Sequence, residues 1–215
     1  MIIEPNNRLL FIGDSITDCN RERPVGEDKG DGLGNGYVSL VHALITAVTP
    51  WMNIQIVNMG IGGNTIRDLD ARWQSDVLNL SPDWLSIMIG INDVWRQIDS
   101  PLQTEYHVLI DEYTTTFERF LQTTLPRLKG LVLMTPYLIE PNPSEPMRGM
   151  MDRYSDVVRQ LADKYQCVLV DKQEAMDAVL RHVHPMTLAG DRVHPGLSGH
   201  MILALAFVKA LGMIL

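Results

Sequence analysis

Five short β-rich runs, each followed by a longer helical pattern, constrain this chain more than any other feature. They span residues 8–12, 53–58, 84–89, 130–135 and 167–170. Runs such as Ile54-Gln55-Ile56-Val57 and Leu131-Val132-Leu133-Met134 suit strands covered on both faces. Between them, Leu109, Tyr113, Phe117, Phe120 and Leu121 keep three-to-four spacing, as do Tyr154, Val157, Val158, Leu161 and Tyr165. Strands alternating with helices predict an α/β fold, a three-layer α/β/α sandwich with a parallel sheet. Five strands suggest the flavodoxin-like order 2-1-3-4-5, in which the first strand lies between the second and third. The loops after strands 2 and 3 then flank the loop after strand 1. With 215 residues and no linker-like stretch, one domain over 1–215 is expected.

Composition narrows the partners. A net charge of −8 argues against nucleic acid or an anionic membrane surface, because both call for basic patches. Two cysteines, Cys19 and Cys167, make neither a disulfide framework nor a metal spacing, which fits a reducing, cytoplasmic setting. The first residues lack the basic and apolar regions of a signal peptide, and the apolar stretch 201–215 is too short to span a bilayer.

The apolar run Leu9-Leu10-Phe11-Ile12 stops at Gly13-Asp14-Ser15, a buried strand ending in a sharp turn. In open α/β sheets, chemistry gathers at the carboxyl ends of such strands. A serine there becomes a nucleophile only if a base takes its proton and an orienter holds that base. Of six histidines, His42, His107 and His200 fall in helical patterns, leaving His182, His184 and His194 after the last strand. Only His194 has a carboxylate at useful spacing, in Asp191-Arg192-Val193-His194; residues three apart on a turn share a face. His182 and His184 lack a third ligand, so no metal site is expected. Acyl transfer also needs donors for a developing oxyanion. The turn Gly60-Ile61-Gly62-Gly63-Asn64-Thr65 offers backbone N–H groups, and Gly90-Ile91-Asn92-Asp93 offers a carboxamide.

Gly13-Asp14-Ser15, Gly63 in Gly-Gly-Asn-Thr, Gly90-x-Asn92-Asp93 and Asp191-x-x-His194 together resemble the four sequence blocks of the SGNH (GDSL-type) hydrolases. The longer stretches 11–19, 87–96 and 191–195 resemble the bacterial serine acetylxylan esterases of that superfamily. The resemblance implies Ser15 as nucleophile, His194 as base and acid, and Asp191 as orienter. It also implies an oxyanion hole of the Ser15 and Gly63 amides with the Asn92 side chain, and no cofactor. The implied substrate is a small acetylated carbohydrate, such as an acetylated xylo-oligosaccharide. A lysophospholipase or thioesterase acting on longer acyl chains is the nearest alternative.

Asn64, Trp95 and Tyr137 sit beside the predicted turns and are candidate substrate-binding residues, the two rings as stacking platforms for sugar. Two loops, 20–36 and 140–146, are expected to wall the site. Asp14 and Asp18 could instead be magnesium ligands of a phosphohydrolase, but that leaves Asn92 and the Asp191–His194 pair without work. A flavin-binding or sugar-binding module would likewise not need Ser15, Asp191 and His194 together. From 201 to 211 only Lys209 is charged, so the last helix is expected to be buried all round, against loops or a second subunit in a homo-oligomer.

Overall fold

The computed structural model describes residues 1–213 and forms a six-stranded sheet with helices on both faces. The strands are β1 (Arg8–Gly13), β2 (Gly26–Glu27), β3 (Gln55–Gly60), β4 (Trp84–Met88), β5 (Gly130–Met134) and β6 (Val168–Val170). Their order is β2-β3-β1-β4-β5-β6. The five expected strands are all present, parallel, and in the expected 2-1-3-4-5 arrangement. The addition is β2, a two-residue strand antiparallel to β3 at the sheet edge. It lies inside the charged, glycine-rich segment read as a loop, where no apolar alternation marks a strand. Polar contacts hold it instead: Ile56 N–H donates to Asp28 Oδ2 at 3.0 Å, and Asn58 Nδ2 donates to the Leu33 carbonyl at 2.9 Å.

The central strands are buried on both faces, as their unbroken apolar sequence requires. On one face, α2 (Tyr37–Val48), α7 (Lys172–Leu180) and α8 (Leu197–Ala210) pack side by side. Phe11 of β1 meets Tyr37 of α2 and Phe207 of α8, with ring centroids 5.8 and 4.9 Å apart. The other layer holds α3 (Ile66–Trp73), α4 (Ile91–Asp99), α5 (Ile110–Thr124) and α6 (Pro146–Tyr165). There Trp73 stacks on Phe120 at 3.8 Å, and its indole N–H donates to Thr124 Oγ1 at 3.0 Å. Contacts of this kind dominate the stability of a domain of this size.

Within one chain the last helix is buried on one face, so its own loops do not supply the burial expected on every side. His200, Leu203, Ala204, Phe207 and Val208 of α8 are buried, but Ile202, Leu205 and Ala206 face an open groove shared with α7 and β6. The groove has a volume of about 950 Å³. Residues 214–215 of the apolar tail lie outside the described residues.

Register brings the chemistry-bearing turns to one edge. Gly13 pairs with Gly60 of β3 and Met88 of β4, so three neighbouring strands end level. Close packing at this edge dictates glycine. A Cβ on Gly13 would lie 2.4 Å from the Met88 carbonyl oxygen. Gly90 adopts φ +135°, a conformation that only glycine takes without strain, and a Cβ there would press on Pro136 at 2.9 Å.

Candidate active site

Ser15 opens the four-residue helix α1 (Ser15–Asp18) directly after β1. Asp14 caps this helix, accepting from Ile16 N–H at 3.0 Å. Burial pushes the Asp14 carboxyl up to about 6, opposed by its hydrogen bond from Ile16 and the charge of Lys172. Asp14 is therefore a capping residue, in keeping with its reading as a turn residue.

Ser15 Oγ lies 2.9 Å from His194 Nε2, and His194 Nδ1 lies 2.7 Å from Asp191 Oδ2. The Asp191–His194 turn is wound around the carboxylate. Asp191 Oδ1 accepts from Val193 N–H at 2.9 Å and from His194 N–H at 2.8 Å, with Arg192 in the left-handed region at φ +65°. Burial raises the Asp191 pKa, but the hydrogen bonds from His194 and Val193 outweigh it and hold the carboxyl below its usual range. Asp191 thus stays anionic with one oxygen reserved for the imidazole, which fixes Nδ1 as the protonated nitrogen and leaves Nε2 a lone pair toward Ser15.

The donors flank this row from both sides. Asn92, 3% exposed at the first turn of α4, donates one Nδ2 hydrogen to the Asn64 carbonyl at 2.9 Å, and its second hydrogen meets no acceptor among the described residues. Among the described residues, no acceptor in the chain takes the N–H of Ser15 or Gly63. Gly62 N–H is engaged, donating to Asp18 Oδ2 at 2.9 Å. Ser15, His194, Gly62, Asn20, Asn35 and His200 line a pocket of about 440 Å³ beside the serine.

Several side chains that hold this edge carry no signal in the sequence. Arg72 of α3 donates to the carbonyls of Gly13 and Met59 at 3.0 and 2.7 Å and to Asn64 Oδ1 at 2.8 Å, with Asp76 balancing its charge at 2.8 Å. One guanidinium so ties the serine turn to the Gly60–Asn64 turn. Asp18 does the same from the other side, its Oδ2 bridging Gly62 N–H and Arg23, while its Oδ1 is buried without a partner among the described residues. An arginine within a helix reads as a solvated residue until the fold turns it inward. Asn58 could have been noticed, since a carboxamide inside an apolar strand needs partners; it accepts from Gly60 N–H and donates to the Thr17 carbonyl.

The three candidate substrate residues fare differently. Trp95 stands 6.1 Å from the His194 ring between centroids, at the site. Asn64 joins the site through its carbonyl, with its side-chain oxygen committed to Arg72. Tyr137 is a correction: it is 1% exposed within the core, so neither ring face can meet a sugar. The chain after β5 turns inward here, as the neighbouring Leu138 and Ile139 at 0% exposure show.

Of the two loops, 20–36 lines the pocket through Asn20 and Asn35. The loop 140–146 instead braces the histidine turn, with Arg192 paired to Glu140 at 2.9 Å and Ile139 N–H donating to the Arg192 carbonyl at 2.9 Å. Buried His200 pairs with half-buried Cys19, with His200 Nδ1 accepting from Tyr37 N–H at 3.2 Å and Nε2 3.4 Å from Cys19 Sγ. Burial, with Lys172 and His194 nearby, lowers His200 to about 4, and burial with Asp18 and Asp14 pushes the Cys19 thiol up to about 12. A thiol held protonated in this way is no competing nucleophile. No cluster of three or more metal-ligating side chains occurs among the described residues.

A model of the GDSL-like lipase/acylhydrolase family matches residues 11–202. The chain is 53% identical over 212 residues to an acetylxylan esterase of Geobacillus stearothermophilus, covering 99% of this chain and 97% of that protein. The crystal structure of that organism's acetylxylan esterase superposes with a TM-score of 0.98 at 52% identity, covering 100% and 98% of the two chains. Among the similar structures are variants of that enzyme with a serine, a histidine or an aspartate replaced by alanine, each described as a catalytic mutant. An α/β hydrolase enzyme from the metagenome of Lake Arreo, Spain, superposes with a TM-score of 0.97 at 47% identity, covering 99% and 98%. The chain belongs to the GDSL-like lipase/acylhydrolase family and is a carboxylic ester hydrolase.

Proposed function

We propose that this chain, as one hydrolase domain, removes acetyl groups from carbohydrate, with acetylated xylo-oligosaccharides as its substrate class. The carrying observation is the unbroken row Ser15–His194–Asp191, at 2.9 and 2.7 Å, beside the unengaged donors of Ser15, Gly63 and Asn92. His194 Nε2 takes the Ser15 proton as Oγ attacks the acetyl carbonyl. The developing oxyanion is met by the Ser15 and Gly63 N–H groups and the free Asn92 Nδ2 hydrogen. Collapse breaks the ester C–O bond, and His194 returns the proton to the departing sugar hydroxyl. Water then attacks the acetyl-serine with His194 again as base, releasing acetate and restoring Ser15.

Acyl size and alcohol follow from the surroundings. The pocket beside Ser15 is lined by Asn20 and Asn35 together with Ile16, Cys19 and Pro195, a mixed set without the broad apolar wall that a long alkyl chain calls for. Acetyl on a polyol suits it better, and the similarity to an acetylxylan esterase supports the same substrate. We also propose that copies of the chain associate through the apolar α7–α8 groove. No helix among the described residues is long and apolar enough to cross a membrane, and the two unpaired thiols suit a reducing compartment such as the cytoplasm.

The test is acetate release from acetylated xylo-oligosaccharides by the protein and its variants. Ser15→Ala and His194→Ala should abolish turnover, and Asn92→Ala should lower kcat about 10²–10³-fold by removing one oxyanion donor. Turnover surviving intact in Ser15→Ala rejects the mechanism. In a series of nitrophenyl esters, activity should collapse beyond short acyl chains, whereas an enzyme for long acyl chains would hold or gain.

A further inference from the structure

A second recess adjoins the Gly60–Asn64 turn beside the serine pocket. Gly62 lines the pocket of Ser15, and its neighbour Gly63 lines a groove of about 340 Å³ together with Thr65, Arg96, Ser100, Gln103 and Tyr106. That volume is at the small end of ligand sites, which run from about 300 to 1,000 Å³. Tyr106 is 57% exposed, a large ring left in solvent.

Its backbone, in contrast, is fixed. Arg67, two residues beyond Thr65, donates to the carbonyls of Glu105 and His107 at 2.8 and 2.9 Å, gripping the chain on both sides of Tyr106. Glu112 braces the same guanidinium through both its oxygens. His107 Nε2 lies 3.0 Å from the Ser100 carbonyl, and Gln97 donates to the Val108 carbonyl at 3.1 Å. An aromatic ring held on a braced segment, facing solvent over a polar groove, can receive a ligand with little entropic cost.

The arginines in the groove are paired, and its carboxylate, Asp68, is committed through Oδ2 to the Thr65 N–H and hydroxyl. Arg67 has its donors on Glu112 and the two carbonyls, and Arg96 is paired with Asp99 while its guanidinium sits 5.5 Å from the Trp95 ring centroid. What remains is neutral hydrogen-bonding capacity from Ser100 and Gln103 beside an aromatic face, the Thr65 hydroxyl being taken up by Asp68. A neutral sugar ring matches this, with hydroxyls at its rim and C–H groups on its faces; a carboxylate or phosphate finds no unpaired cation.

We infer that this groove is a glycosyl subsite in which Tyr106 stacks on a sugar residue next to the one that carries the acetyl ester. The subsite rests on the carbohydrate reading of the active site and adds to it the residue, Tyr106, that holds the neighbouring sugar of the oligosaccharide.

The test is the ratio of kcat/KM for acetylated xylotriose to that for acetylated xylose, measured for the wild type, Tyr106→Ala and Tyr106→Trp. Circular dichroism and turnover of para-nitrophenyl acetate report whether each variant is folded with its catalytic groups assembled. The wild-type ratio should exceed one, Tyr106→Ala should lower it roughly 3- to 10-fold, the worth of one aromatic contact, and Tyr106→Trp should restore it. A wild-type ratio of one, or an unchanged ratio in Tyr106→Ala, overturns the subsite while leaving the esterase reading intact. Hydrolysis of the aryl acetate with no acetate released from either sugar overturns the carbohydrate reading and the subsite with it.

Discussion

Asp191 shows how one side chain fixes the chemistry of another. Its Oδ1 accepts two backbone N–H groups, so that oxygen is committed to the turn, and only Oδ2 faces His194. In Asp191→Asn the two backbone donors keep the amide oxygen where Oδ1 is, and the amide nitrogen falls opposite His194 Nδ1. The imidazole must then carry its proton on Nε2, toward Ser15, where it cannot act as a base. Turnover should fall about 10⁴-fold with the fold intact, the loss associated with the wrong tautomer; a loss below tenfold in steady-state assay would contradict it. Asp191 and His194 were legible because a covalent spacing of three residues needs no tertiary knowledge. Ser15, Gly63 and Asn92 were legible because each follows a strand whose place in the sheet the alternation predicts. Arg72 and Asp18 were not, since their roles exist only once two turns distant in sequence lie side by side. Tyr137 misled because position after a strand says nothing of which way the chain next bends.

At the scale of elements, the site depends on how α3 and α4 meet. Asp93 Oδ1 accepts from Ile66 N–H at 3.0 Å, joining the first turn of α4, which holds Asn92, to the first turn of α3, which follows Gly63. Asp93 is wholly buried, and its other oxygen has no partner among the described residues. Burial pushes its carboxyl up to about 7, with hydrogen bonding to Ile66 opposing and the charges of Asp14 and Asp68 adding to the rise. A carboxyl raised in the folded state favours folding at low pH, and that stability is lost as pH rises from 3.8 through about 7, because the unfolded chain releases the proton first. Asp93→Asn stays neutral throughout and keeps an oxygen for Ile66. Its melting temperature should therefore gain on that of the wild type as pH rises across this window, while Asp14, raised to about 6, still titrates in both. Parallel melting curves over the same range would show that Asp93 does not ionise there. The elements themselves were readable wherever apolar periodicity made them. The exception, β2, is held by the Asp28 and Asn58 side chains, and hydrogen bonds of that kind leave no periodic trace.

Considered as a whole molecule, the fold divides its surface by task. The level strand ends carry the proposed catalytic groups and their flanking grooves, while β6, α7 and α8 present an apolar face at the far edge of the sheet. The proposed association of two copies would use that face as a self-complementary one. Lys209 lies on it from α8 and Glu174 from α7, and neither has an ion-pair partner among the described residues. A two-fold axis through the groove would bring the Lys209 of each copy toward the Glu174 of the other and cover Ile202, Leu205 and Ala206. Light scattering at micromolar concentration should then give a mass above that of one chain. Leu205, 39% exposed, tolerates a charge in the folded monomer, so Leu205→Glu should reduce the mass to one chain without unfolding it. A wild type that runs as a monomer, or a Leu205→Glu variant that stays associated, would remove this face from the assembly. Because the groove and the serine edge are separate surfaces, the monomeric variant should still hydrolyse para-nitrophenyl acetate, and a loss of turnover tracking the loss of mass would mean that association shapes the active site as well.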